Sequence, residues 1–167
     1  MKQPNKREYS VQRISGYLHK VIPIFDNTGK IISHAVKPLK VELRRRDIMQ
    51  IIVGASILSV PVAFTQETWD LGRDLPILNV VGLGIISLTF LGLHVYFAFY
   101  RQEFRNHAGE YFKRVAAIYL LSFIVVGILL SLIDKAPWQS DILLAIKRTV
   151  IVTFPASMSA AVSDSID

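Results

Sequence analysis

The sequence predicts an all-α membrane protein, a four-transmembrane-helix bundle preceded by a small cytoplasmic N-terminal segment of β-hairpin and short helix. Three observations predict it. Hydrophobic residues make up 51% of the 167-residue chain, at a mean hydropathy of +0.39, more than a soluble domain of this length carries. Four stretches are long and apolar enough to cross a bilayer. Lys and Arg gather beside alternate ends of those stretches, as they do in multi-pass proteins.

The first segment is residues 1–46, with eleven Lys or Arg against Glu8, Asp26 and Glu42, for a charge of +8. The remaining residues, 47–167, carry eight cations against ten acids, for −2. So basic a segment could meet nucleic acid, but it adjoins an apolar span, and attraction to an anionic leaflet is the more economical reading. Nucleic acid is therefore not expected as a partner. The run KVIPIFDNTGKIISHAVK from Lys20 to Lys37 has two β-rich arms joined at Asp26-Asn27-Thr28-Gly29, where Asn and Gly suit a turn, and this predicts a hairpin. Pro23 should confine its arm to a sheet edge or a strand end. Residues 9–18 are expected to form a short helix. A lone hairpin is marginal in water, so a surface must cover it: the bundle, the membrane, or a second copy. His19 and His34 lie here without a third ligand nearby, and no metal site is expected.

Span one is Ile48 to Phe64, uncharged and announced by Arg44-Arg45-Arg46-Asp47, a positive-inside anchor. Span two, Pro76 to Tyr100, is longer and also uncharged, which implies tilt or an extension into the headgroups. Span three, Val115 to Ile133, is the cleanest. Span four runs over about 142–163, with Lys147 and Arg148 near its start; the alternative has residues 136–148 lying flat on the interface and the span beginning at Thr149. Unpaired backbone is costly in hydrocarbon, and no series of ten-residue alternating segments suggests a barrel, so all four are expected to be helices. The domain division is therefore 1–46 and 47–167.

Connections are short, which makes neighbours antiparallel. Residues 1–46 and the 101–114 loop hold fifteen Lys or Arg, and the loops 65–75 and 134–141 hold only Arg73 and Lys135. That asymmetry places both termini, and the 101–114 loop, in the cytoplasm. The N-terminus lacks the apolar core and cleavage site of a signal peptide. Absence of cysteine removes disulfides, thiolate metal sites and Cys nucleophiles.

The functional candidates start with Lys147 and Arg148. A centred Lys or Arg costs about 2.5–3.5 kcal/mol on an insertion scale, so neither should face lipid at depth. They either snorkel outward as anchors or face an oligomer axis and attract anions. Downstream, Ala156/Ala160, Ser157/Ala161 and Ser159/Ser163 stand four apart, spacing that lets helices approach closely. The functional version has Thr153 and Ser157 lining a pore that Pro155 bends. Span one offers a parallel set, Ser56, Ser59 and Pro61, with Glu67 and Asp70 at the mouth of a bent helix, positioned to gate against Lys147 or Arg148. Asn79 and His94 in span two are expected to make interhelical hydrogen bonds. No acid is expected deep in any span, which argues against proton- or cation-coupled transport. No His-Glu-x-x-His, Gly-x-Ser-x-Gly or phosphate-cradling loop occurs, so neither an enzyme nor a cofactor is expected.

The stretches QIIVGASILSVPVAFTQETWDLG (50–72) and FPASMSAAVSDSI (154–166), after a basic hairpin-like lead-in, resemble a family of bacterial multi-pass integral membrane proteins of unknown function. The resemblance lends no activity; it directs attention to Pro61, Glu67, Trp69, Pro155 and Ser157. The expectation that follows is a homo-oligomeric ion channel or small-solute pore with a slight preference for anions, formed where subunits meet in the lipid bilayer. The alternative is a membrane-anchored interaction protein whose residues 1–46 bind a cytoplasmic partner or anionic lipid.

Overall fold

The computed structural model describes residues 10–14, 17–26, 30–38, 42–101 and 104–166, in two units divided between Glu42 and Leu43. The N-terminal unit is a three-stranded antiparallel sheet in the order β1 (Ser10–Ile14), β2 (Tyr17–Phe25) and β3 (Ile31–Pro38). The two expected arms do pair, as β2 and β3, with Val21 opposite Val36 and a bulge at Ile24/Phe25. Asn27, Thr28 and Gly29 of the expected turn lie outside the described residues; Asp26 N donates to Lys30 O at 2.9 Å beside them.

The short helix expected over 9–18 is instead β1 and the start of β2, so β2 is the central strand and Pro23 lies within it. Among the described residues the β1–β2 ladder runs only from Tyr17 to Val21, two residues short of Pro23. Glu42 closes the end of the sheet, accepting from Arg13 Nη2 at 2.6 Å and from Leu18 N at 3.2 Å. Val21 is the one buried apolar side chain of the sheet among the described residues.

The second unit holds α1 (Arg45–Ala63), α2 (Gln66–Asp74), α3 (Ile77–Val95), α4 (Phe104–Leu132) and α5 (Ile142–Ser165). Four helical segments are long and apolar enough to cross a membrane: Arg45–Ala63, Ile77–Tyr100, His107–Leu132 and Ile142–Ser165. All four expected spans are present, shifted by up to eight residues at their ends. Chain direction alternates, so the starts of α1 and α4 and the ends of α3 and α5 share one end of the bundle, hereafter the basic end. α5 is the common contact, packed against α1, α2, α3 and α4. It is one continuous helix, with Pro155 inside it, so no flat segment precedes a span at Thr149.

Local chemistry sets the boundaries. Asp141 caps α5 by accepting from Leu144 N at 2.9 Å, and Asp47 does the same for α1 from Arg44 N at 3.0 Å. α4 ends in a left-handed residue, Asp134 at φ 57°, with Lys135 N returning to Leu130 O at 2.8 Å. α3 runs into a π-helical turn over Tyr96–Tyr100, and α4 breaks its helical dihedrals at His107. The stretch after span one, read from sequence as a loop entered by one bent helix, is a separate helix. α1 stops at Ala63 and α2 follows, its buried Thr68 and Gly72 one helical turn apart.

Candidate functional site

Polar groups meet inside the bundle at three levels along α5. At the end opposite the basic one, Arg148 is 6% exposed and takes carbonyls as its partners. Its Nε donates to Trp69 O at 3.1 Å and its Nη1 to Lys135 O at 2.8 Å. Lys147 Nζ donates to Arg73 O at 3.3 Å. Lys147 therefore caps the carbonyl end of α2, where a helix dipole favours positive charge, and Arg148 joins a carbonyl within α2 to one in the turn that follows α4. Trp69 supports the arrangement from two sides: its Nε1 donates to Ala63 O at 2.7 Å, and Lys135 Nζ stands 4.1 Å from its ring centroid. A Cβ on Gly72 would run into the Arg148 stem. Glu67 is exposed, and Asp70 is 3.9 Å from Arg73 of its own helix. These hydrogen bonds of Lys147 and Arg148 go to main-chain oxygens rather than to Glu67 or Asp70.

At mid-height the candidate pore side chains are turned into their own bundle. Thr153, Ser157 and Ser59 are each 0% exposed. Ser157 Oγ donates to Phe154 O at 3.1 Å and lies 3.0 Å from Ser87 Oγ, which leaves Ser87 as donor of a buried bond between α5 and α3. Thr153 donates to Thr149 O at 2.7 Å, Ser56 to Ile52 O at 2.9 Å, and Ser59 lies 3.4 Å from Ser56 O, so these hydroxyls return to their own helices. Pro155 is half-buried and Pro61 exposed, and each helix continues through its proline. The small-residue stripe serves close approach: a Cβ on Gly54 of α1 would lie 2.5 Å from Ser163 Cβ and 2.9 Å from Ala160 Cα. Of the span-two pair, Asn79 is exposed, and His94 Nε2 is buried without a hydrogen-bond partner among the described residues, so the expected interhelical bond is not formed there.

The basic end holds what sequence reasoning missed. Arg114 is 1% exposed and lies between two acids from two other helices. Its Nη2 donates to Asp47 Oδ2 at 2.6 Å and its Nη1 stands 3.6 Å from Asp164 Oδ2, with the Asp164 side chain fully buried. The guanidinium also covers the Phe99 ring at 4.1 Å. Around it, edge-to-face contacts join Tyr96, Tyr100, Phe104 and Tyr111 at centroid distances of 5.3–5.5 Å. Asp164 lies in the last turn of a helix that runs past the expected end of span four, so packing closes over an acid at the end of a span rather than deep within it. The signal available in the sequence was positional only: Asp47, Arg114 and Asp164 mark the same end of three spans.

One cation shared between a buried carboxylate, Asp164, and a partly buried one, Asp47, ties α1, α4 and α5 together, and losing the cation would strand the Asp164 charge in apolar surroundings. Chemically the cluster fastens three helices together. Among the described residues no group of three His, Cys, Asp or Glu could hold a metal ion.

No curated protein and no solved structure matches the chain. A family model matches residues 26–164, which take in β3, all five helices and all three polar levels. The chain thus belongs to the family described as "Putative integral membrane protein (DUF2391)", and it is an integral membrane protein with four candidate spans.

Proposed function

We propose that this protein is a membrane-anchored interaction protein, in which the helical bundle is the anchor and the basic N-terminal sheet is the working surface. The observation that carries this reading is the contrast between the two units. The bundle turns Arg148, Thr153, Ser157 and Ser59 inward, whereas the sheet leaves Ile31 54% and Ile32 68% exposed, directly after the exposed Lys30 in the chain. A homo-oligomeric pore lined by span four or span one needs those polar side chains at a subunit junction, and they are engaged within one chain. The lysine and arginine asymmetry supports a plasma-membrane topology with both termini cytoplasmic, which puts the sheet on the cytoplasmic face.

The test is ion flux through liposomes holding the purified full chain. The anchor reading expects anion and cation permeability equal to that of protein-free liposomes, unchanged by Lys147→Ala or Thr153→Val. Flux that depends on protein and changes in either variant would replace this reading with the pore.

A further inference from the structure

The strand register divides the sheet into two unlike faces, because residues paired across an antiparallel ladder point the same way and their neighbours point oppositely. Val11 pairs with Lys20, Arg13 with Leu18, Lys20 with Lys37 and Ile22 with Ala35, which sets Arg13, Lys20, Ile22 and Ile24 on one face. The other face carries Gln12, Ile14, His19, Val21, His34 and Val36; it too exposes aliphatic side chains, Ile14 at 38% and Val36 at 49%, but has no Lys or Arg among the described residues. Cations and exposed aliphatic side chains therefore share a surface. Arg13 remains 63% exposed despite its ion pair with Glu42, Val11 is 41% exposed and Ile24 is 46% exposed.

That combination, cations to meet phosphates and aliphatics to enter the boundary below them, is the chemistry of an anionic membrane surface. Covalent geometry supplies the proximity. Seven residues lead from Pro38 to Arg45, where the first candidate span begins, and a chain of that length reaches at most about 25 Å. A soluble partner would have to be captured from dilute solution, whereas the leaflet is always within reach.

We infer that the face carrying Arg13, Lys20 and Ile24 docks on anionic headgroups of the membrane in which the chain is anchored. This rests on the anchor reading and deepens it by naming the partner and the face. Ile24 and Val11 sit at the headgroup boundary, and Val36 on the opposite face points away from the lipid.

The chain has no cysteine, so a single one can carry a dye without a background signal. The full chain is reconstituted in nanodiscs of phosphatidylcholine alone or mixed with phosphatidylglycerol, with an environment-sensitive dye on Ile24→Cys or on Val36→Cys. The expected result is a shift to an apolar environment for the dye at 24 in the anionic discs only. The shift should disappear in 1 M salt, where the screening length falls to about 3 Å. The dye at 36 should not respond. Lys20→Gln should reduce the docked population about fivefold and Lys20→Arg should restore it. Equal responses at 24 and 36, no difference between lipids, or a shift that follows protein concentration, as a second copy would produce, each overturns the assignment. Ion flux in liposomes removes the anchor reading itself, whereas silent liposomes with an unresponsive dye at 24 remove only the lipid.

Discussion

Arg148 lies across Gly72 so closely that a methyl group at position 72 would occupy the space of its stem. The two residues belong to α5 and α2, and their contact fixes the short helix against the bundle while the guanidinium bonds Trp69 O and Lys135 O. Gly72→Ala should therefore destabilise the protein although alanine favours helix by about 1 kcal/mol. Overpacking of this kind typically costs about 1–3 kcal/mol, so the thermal midpoint in detergent should fall. A midpoint that rises would show that α2 is held by something other than this contact.

The approach of α1 to α5 makes a second test, with an internal control. Gly54→Ala places a methyl 2.5 Å from Ser163 Cβ and should lower stability by about 1–3 kcal/mol. Gly82→Ala, where nothing lies within 4 Å, should be neutral or mildly stabilising. Denaturation of both variants in one detergent gives the comparison, and equal effects would count against a close-packed α1–α5 seam.

Arg114, Asp47 and Asp164 invite a double-mutant cycle. Removing one partner of a buried pair strands the other, so Arg114→Met or Asp164→Asn alone should cost on the order of 3–5 kcal/mol. Arg114→Met combined with Asp164→Asn and Asp47→Asn should recover much of that loss. Additive losses in thermal unfolding would mean that the three groups do not act as one network.

Sidedness can be read with introduced cysteines. Gly109→Cys, in the exposed start of α4, should react with an impermeant maleimide only after cells are opened, and Ser140→Cys should react in intact cells. The reverse pattern would invert the proposed topology.

The four spans were legible because a long uncharged apolar run is a coarse signal that needs no partner to interpret. The β2–β3 pairing was legible too, since β-branched arms around Asp26 and Gly29 carry their own turn chemistry. β1 was not. Ser10–Ile14 is exposed along its whole length, so no buried face imprints an alternating pattern on it. α2 was missed because nine mostly polar residues read as loop until Thr68 and Gly72 are seen facing α5. The Arg114 network eluded sequence reading for a different reason. Asp47 and Arg114 are 67 residues apart, and each on its own looks like an ordinary interfacial charge. Arg148 was singled out correctly as a question; its partners, two main-chain oxygens, have no sequence signature at all.

The place of α5 in the chain bears on how the protein assembles. The helix that touches every other helix is also the one synthesised after them. Spans emerging earlier from the ribosome must wait in the bilayer without their shared neighbour, Arg114 holding Asp47 but not yet Asp164. Biogenesis therefore has a late committing step. Until that helix inserts, α1, α2, α3 and α4 lack the neighbour that all of them share.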